Sequence, residues 1–417
     1  MKVLILGSGG REHAIGWKLA QSPSLELLVS APGNPGLAEI GEVASSVDVL
    51  DEDAVVSLAV SRRVDLVVVG PEAPLAAGIV DVLADNGIAA FGPTAAGARL
   101  EASKAYAKEV MATAGVATAR AETFVDATDA NLYLDGLAPP FVVKADGLAA
   151  GKGVLVTSDL GEARAWVRLC IDGHFGDAGA TVIIEDYLEG PELSVIALCD
   201  GERALALPPA RDYKRLKSGD RGPNTGGMGC YSPVDVPLRL VDEVTDDVML
   251  PVLRHLTAKG VAYRGFLYAG LVLTEDGPRV LEFNCRLGDP EAQVLLPRLD
   301  EDLLELMVAS STGTLPERPL RVRADAAVNV VLAAPGYPEA VQTGASITGL
   351  DTAHDLDGVE VFHAGTTDTP EGLAVSGGRV LNVVGIDPDR DKARHKAYAA
   401  AAVVAFDGKQ LRTDIAR

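Results

Sequence analysis

Lys2-Val3-Leu4-Ile5-Leu6-Gly7-Ser8-Gly9-Gly10-Arg11-Glu12-His13 is the stretch on which the fold turns. Residues 2–6 read as a buried strand, the glycines as a tight turn, and Arg11–Gln21 as a helix by its apolar spacing. Further strands are expected near Leu25–Ser30, Asp65–Val69 and Gly87–Phe91, with helical segments between them. This alternation predicts a parallel α/β sheet over roughly the first 100 residues.

Downstream the pattern changes. Ser103 caps a helix that ends at Gly115. Short strands at Phe141–Lys144 and Val154–Thr157 flank a glycine-rich loop, a helix runs from about Leu160 to Asp172, and Thr181–Glu185 is again a strand. That block reads as a small αβ module over something larger. Strands at Glu192–Leu198, Phe266–Leu273 and Arg279–Phe283 follow, with helices near Leu238–Lys259 and Asp300–Ser311. Pro316–Pro319 reads as a linker, and the tail ends in a helix, Arg390–Phe406.

The chain has 417 residues, so about two to four packed units are expected. Its formal charge of −22 repels nucleic acid and anionic lipid, and makes a basic island informative. Cys170, Cys199, Cys230 and Cys285 form no C-x-x-C pair, which argues against a zinc ribbon and fits a reducing, cytoplasmic setting. The first apolar run is too short for a signal peptide, and no stretch of about 18 uncharged apolar residues suggests a membrane span.

Six motifs carry chemistry. Gly9, Gly10 and Arg11 in the first turn suit a small phosphate at a helix N-terminus. A dinucleotide site wants a carboxylate after the second strand, where Ser30-Ala31-Pro32-Gly33-Asn34 stands instead. Gly70-Pro71-Glu72 lies at the ligand-binding edge of a parallel sheet. Lys144, followed by glycines at 147, 151 and 153 and by Lys152, suits a hairpin closing on a nucleotide; the spacing is not that of a P-loop. Glu185 to Glu192 runs from a strand into a linker; taken alone its carboxylates read first as solvated acidic residues, although such a hinge can also hold adenine and ribose. Glu282 and Asn284, at i and i+2 on one strand, face the same side with the hard oxygen donors that magnesium takes, and Arg286 continues that face. Arg211 to Arg221 crowds five basic residues into eleven positions, and glycines follow that suggest a mobile or closely approached backbone.

The combined order GSGGREH, PGNPG, GPEAPL, KADGLAAGKGV, EDYLEGPE, GPNTGGMGCYSP and LEFNCRLGDPE resembles the glycinamide ribonucleotide synthetase family of the ATP-grasp superfamily. The likeness spans essentially the whole chain. It implies an α/β and α+β multidomain protein: a parallel α/β domain preceding the ATP-grasp (1–102), a large ATP-grasp lobe (103–120 and 192–322), a lid lobe (121–191) and a small C-terminal domain (323–417). It implies ATP as the energy source, with Lys104 and Lys144 on its phosphates, the loop carrying Gly147, Gly151, Lys152 and Gly153 over them, and Glu185, Leu188 and Glu192 around the adenosine. Glu282 and Asn284 are the implied ligands of Mg2+ or Mn2+. The preceding strand, Leu267–Leu273, offers no further carboxylate, and Leu287 stands where the family has Phe.

The expected reaction joins glycine to 5-phosphoribosylamine through glycyl phosphate. Arg286 and Asp212 are candidates for the two ends of glycine, with Lys144 also serving the chemistry. Gly9, Gly10, Arg11 and Asn34 are candidates for the ribose phosphate, and Glu72 and Asp289 for further substrate contacts. A monomer or weak homo-oligomer is expected. Rival readings are another ATP-grasp carboxylate–amine ligase, an NAD-dependent oxidoreductase, and a catalytically dead nucleotide-binding regulator.

Overall fold

The computed structural model describes residues 1–149, 153–237 and 239–417. The first strand, Lys2–Gly7, lies at the centre of a five-stranded parallel sheet. Its neighbours are Leu27–Pro32 on one side and Leu66–Val69 on the other, with Glu42–Val43 and Ala90–Phe91 at the edges. The all-apolar sequence of Leu66–Val69 is buried throughout, as a strand covered on both faces requires. The helix Gly10–Leu19 starts directly at the glycine turn.

Two antiparallel sheets follow. The lid sheet takes Ala121–Phe124, Val182–Glu185, Phe141–Ala145 and Val154–Thr157, in that spatial order, and has its own apolar core with the helices Ala127–Asp135 and Leu160–Leu169. The large-lobe sheet is built on Glu192–Asp200, Arg264–Thr274 and Gly277–Asn284, with Ala204–Ala206 at its edge. Ser103 caps the helix Lys104–Ala114 by accepting from the Tyr106 N–H, and Gly115 ends that helix at φ 74°, in the left-handed region.

The last large sheet mixes distant parts of the chain. Ala326–Ala333, Arg379–Asp387 and Val359–His363 come from the C-terminal region, but Gly229–Ser232 pairs with Ala326–Ala333, and Arg211–Asp212 pairs with Gly229–Ser232. The basic, glycine-rich stretch thus supplies two strands to this sheet, and between them a separate hairpin of Arg215–Lys217 with Arg221–Asn224. Its glycines permit close approach: a β-carbon on Gly227 would lie 2.4 Å from Pro290 Cδ, and one on Gly229 2.7 Å from the Asn329 carbonyl. Among the described residues no helix is long and apolar enough to cross a membrane.

Candidate active site

A β-bulge shapes the centre of the cleft. In the pairing of Arg264–Thr274 with Gly277–Asn284 the register shifts between Gly270 and Leu271, so Glu282 faces Gly270 and Val280 faces Leu271. Leu281 is the extra residue, and its carbonyl accepts from Lys144 Nζ at 3.3 Å. Bulges of this kind re-aim side chains beside active sites. Beyond it the alternation holds: Phe283 and Cys285 are buried, while Glu282, Asn284 and Arg286 are half-buried on the other face.

Burial pushes the Glu282 carboxyl up, but Lys214, Lys144, Lys104 and Arg286 together hold it below the usual range. An ionised carboxylate and an amide oxygen two residues on form a hard donor pair, so the residues fit a divalent cation. Among the described residues no cluster of three or more His, Cys, Asp or Glu with metal-binding geometry occurs.

Around this pair the lysines are held differently. Lys144, 6% exposed, sits 2.8 Å from Glu185 Oε2, and Lys108 reaches the other oxygen at 3.2 Å. Glu185, placed in the adenosine hinge by the sequence, is thus a buried counter-ion to two lysines. Lys104 Nζ donates to the backbone carbonyls of Gly147 at 3.0 Å and Asp146 at 3.3 Å. Among the described residues it has no carboxylate within ion-pair distance. Burial lowers its pKa, with Glu282 opposing that shift. Asp146 also accepts from the Ala105 N–H at 2.7 Å and from Ser103 Oγ, docking the lid onto the start of the Lys104 helix. Gly147 and Gly153 admit neighbouring chain: β-carbons there would fall 2.6 Å and 2.7 Å from Ala178 and Ala149. Gly151 and Lys152 lie outside the described residues. Leu188 is half-buried, and Glu192 is paired with Lys214 at 2.8 Å.

The substrate side is a second charged group. Arg286 donates through Nε to Glu72 at 3.2 Å and through one terminal nitrogen to Glu101 at 2.7 Å. Arg11 lies 3.9 Å from the same Glu72 oxygen, and both guanidiniums donate to the Leu287 carbonyl. Burial opposes ionisation of Glu72, yet Arg286 and Arg11 hold it down to about 2. Asp212 sits on the short strand Arg211–Asp212. Burial pushes it up to about 7; Lys214 opposes this, while Glu291, Glu192 and Glu282 reinforce it. Behind it, Ser194 Oγ bridges Tyr268 and Glu291, at 2.9 Å from each.

The first turn works differently from a bare phosphate cradle. Glu12 folds back so that Oε2 accepts the Gly9 N–H at 2.7 Å and Oε1 pairs with Arg11 at 2.6 Å. An internal carboxylate therefore takes the first donor at the helix N-terminus, which weighs against a dinucleotide pyrophosphate there. Gly10 packs against Asn382 and Gln293. The Asn34 amide caps the helix Pro35–Ala38 and donates to the carbonyls of Ser8 and His363, so its hydrogen bonds serve the scaffold. Asp289 accepts from Gln293 at 2.8 Å and pairs with Arg379 at 3.2 Å.

The structure thus brings together Lys104, Lys144, Glu185, Glu282, Asn284 and Arg286, with Arg11 and Glu72 beside them. Sequence reading assigns no site role to Lys108, Glu101 or Arg379, and places Lys214 in the basic stretch and Glu291 at the end of the Glu282 motif without a role of their own. Lys108 had a signal, since it follows Lys104 by one helical turn on the same face.

Three family descriptions match the chain: the phosphoribosylglycinamide synthetase N domain over residues 1–101, its ATP-grasp (A) domain over 102–292, and its C domain over 327–417. A phosphoribosylamine–glycine ligase from Caulobacter vibrioides is 47% identical over 418 residues, covering 100% of this chain and 97% of that protein. A crystal structure of phosphoribosylamine–glycine ligase from Thermotoga maritima superposes with a TM-score of 0.88 at 37% identity, covering 100% of both chains. A biotin carboxylase from Campylobacter jejuni, at 17% identity and a TM-score of 0.76 over 98% of this chain and 92% of that one, shares the fold. Matched from its first strand to its last helix, the chain belongs to the phosphoribosylglycinamide synthetase family of ATP-grasp carboxylate–amine ligases.

Proposed function

We propose that the cleft binds the ATP triphosphate between Lys104, Lys144 and the Glu282–Asn284 pair, and uses it to activate glycine for attack by 5-phosphoribosylamine. The protein is an ATP-dependent ligase of purine biosynthesis; its products are glycinamide ribonucleotide, ADP and phosphate. The observation that carries the site assignment is Glu282, half-buried beside the bulge on the same face as Asn284 and Arg286, with Lys214, Lys144, Lys104 and Arg286 all holding its carboxyl below the usual range. An unpaired buried carboxylate is costly, so that concentration of charge fits a place where phosphates and a cation meet.

A bare carboxylate is a poor electrophile, because oxide is a very poor leaving group. A glycine carboxylate oxygen therefore attacks the γ-phosphorus, and the bond to ADP breaks with its electron pair leaving on ADP. The ribosylamine nitrogen then attacks the carbonyl carbon of glycyl phosphate; the C–O bond breaks, phosphate leaves, and the nitrogen loses a proton. Phosphoryl transfer needs mostly positioning and charge neutralisation. Lys104, held among the described residues by the backbone carbonyls of Asp146 and Gly147, is placed to turn to a phosphate, and Lys144 stands beside it. Glu282 and Asn284 would hold Mg2+ or Mn2+, which when bound neutralises phosphate charge. Gly147 and Gly153, at the two ends of the glycine-rich loop, border the phosphates, and Glu185, Leu188 and Glu192 border the adenosine. A closed lid keeps water from the acyl phosphate.

Arg286 keeps two of its five N–H groups after its bonds to Glu72, Glu101 and the Leu287 carbonyl, enough for a bidentate contact to the glycine carboxylate. Asp212 receives the glycine ammonium. Arg11, with the turn at Gly9 and Gly10 and the loop fixed by Asn34, serves the ribose phosphate, and Glu72 and Asp289 hold the arginines around it. The four cysteines are free and buried, which fits a reducing cytoplasm, and a monomer or weak homo-oligomer suffices because the site is built within one chain.

Lys144→Met removes a cation without changing length much. Glycine-dependent ADP release is expected to fall by about 100-fold or more, in line with loss of a charge-stabilising group. Near-normal turnover in that variant would remove Lys144, and with it this placement of the triphosphate.

A further inference from the structure

We propose that Glu101 is a positioning residue for the ligation: its one carboxylate fixes the Arg286 guanidinium and the backbone that joins Arg286 to Asn284. The inference rests on the reading of Arg286 and Asn284 given above and extends it to a residue outside the cleft's own motifs.

Glu101 ends the helix Ala95–Ala102 and is buried. One oxygen accepts from Arg286 at 2.7 Å. The other accepts from the Cys285 N–H at 2.7 Å and from the Cys285 thiol at 3.0 Å. The sheet ladder explains why the position matters. The pairing of the Gly277–Asn284 strand with its neighbour ends at Asn284, opposite Tyr268. Cys285 is the first residue beyond the ladder, and a buried N–H there needs another acceptor. Glu101 supplies it, and so continues to fix the chain between a metal-binding residue and a substrate-binding one.

The same carboxylate decides how Arg286 is presented. Glu72 holds Nε, Glu101 holds one terminal nitrogen and the Leu287 carbonyl the other, so the planar guanidinium is pinned at all three of its corners, most tightly at Glu101. That constraint directs the remaining N–H pair toward a carboxylate partner. Glu101 is also three residues from Lys104, across the Ser103 cap, and acts electrostatically on it. A displacement of the Cys285–Arg286 backbone by about 1 Å is enough to cost 100-fold in a reaction that depends on alignment.

Glu101→Gln tests the assignment. Glutamine matches the shape but has one acceptor oxygen where three donors need two. The expected result is a fall of about 10- to 100-fold in glycine-dependent kcat/KM, the range typical of supporting residues around a site, with the KM for ATP changed less than about 3-fold. Calorimetric titration of glycine into the enzyme with ADP should show weakened binding, independent of turnover. Cys285→Ala keeps the N–H and should stay within about 3-fold of the unsubstituted enzyme, since the thiol contact is the weaker of the two at that oxygen. Unchanged glycine affinity and kcat/KM in Glu101→Gln would overturn the proposal, as would a loss confined to thermal stability. Glycine dependence of ADP release by the unsubstituted enzyme tests the ligase reading separately: its absence would overturn both, its presence with a silent Glu101→Gln only this one.

Discussion

Gly10 shows what one missing β-carbon can hold together. A methyl there would lie 2.2 Å from Asn382 Nδ2 and 2.7 Å from Gln293 Nε2, both belonging to parts of the chain far from the first turn. Asn382 in turn accepts from Asn329 at 3.0 Å. Neither amide has open space to retreat into, since Asn382, Asn329 and Gln293 are all at most 1% exposed. Gly10→Ala should therefore destabilise the protein by about 1–3 kcal/mol, the usual range for overpacking. Urea unfolding measures it. Combining Gly10→Ala with Asn382→Ala should cost less than the two single changes summed, because the second removes the atom with which the first collides. Additive costs would show that the contact is not the cause. At this scale the sequence was partly legible. Glu282 and Asn284 could be paired from their i, i+2 spacing alone, because strand alternation is a local rule. The Arg286–Glu101 and Arg286–Glu72 contacts join residues 185 and 214 positions apart, and no local rule reaches that far.

Between elements, the contact of the Gly10–Leu19 helix with the Val359–His363 strand carries a pH dependence. His13 Nδ1 accepts the His363 N–H at 2.8 Å, and His363 Nδ1 faces Thr366 Oγ1 at 3.0 Å. Both rings are buried, and His354 is the nearby basic group; Glu360, raised by burial, hydrogen-bonds Trp17 on the same face. Burial, with His363 and His354 adding to it, pulls His13 down to about 3, and burial with His354 pulls His363 down to about 4. In the unfolded chain each titrates near 6.5. Between those values the unfolded chain binds more protons, so the stability these rings allow is fully present above pH 6.5 and is lost as pH falls toward 4 and 3. At pH 5 the loss is about 2 kcal/mol for each ring, from 1.36 kcal/mol per unit of separation. His13→Asn, which keeps an acceptor but no titrating group, should flatten the fall in urea midpoint between pH 7 and pH 5. An unchanged slope would place the acid sensitivity elsewhere. Elements with strong local signals were the legible ones: the buried first strand, the glycine turn, and the Ser103-capped helix. The Arg211–Asp212 and Gly229–Ser232 strands were not, because two to four residues in a charged, glycine-rich stretch give no measurable alternation. The lid's Ala121–Phe124 strand and Ala127–Asp135 helix were passed over for the same lack of a clear period.

Over the whole molecule, the order of parts along the chain was readable, but their interlocking was not. The sequence sets the C-terminal region off as a separate small domain beginning near residue 323. Yet its Ala326–Ala333 strand pairs Val330 with Gly229 and Ala327 with Ser232, so it forms the wall against which the Asp212 segment is laid. Arg412, fully buried, ties the far end of the chain to the same segment through Asp220 at 2.7 Å and the Arg215 carbonyl at 3.0 Å. Arg379 donates to the carbonyls of Gly226 and Asp289, each at 2.6 Å. Register over such separations is a property of the assembled core, and only the folded chain displays it. The consequence is testable. A chain ended at residue 322 loses the partner of Gly229–Ser232, leaving an unpaired strand edge and two carbonyls without Arg379. Asp212, placed by that strand, should lose its position, so glycine-dependent ADP release should be absent even if the lid and the parallel sheet still fold. Limited proteolysis should cut the truncated chain within residues 227–232, which are buried in the full chain and should resist there, because opening that strand in the full chain requires separating it from a fully buried partner. A truncated protein that still ligated glycine would mean the Asp212 segment keeps its place without the strand beside it, and the role given to that wall would fall.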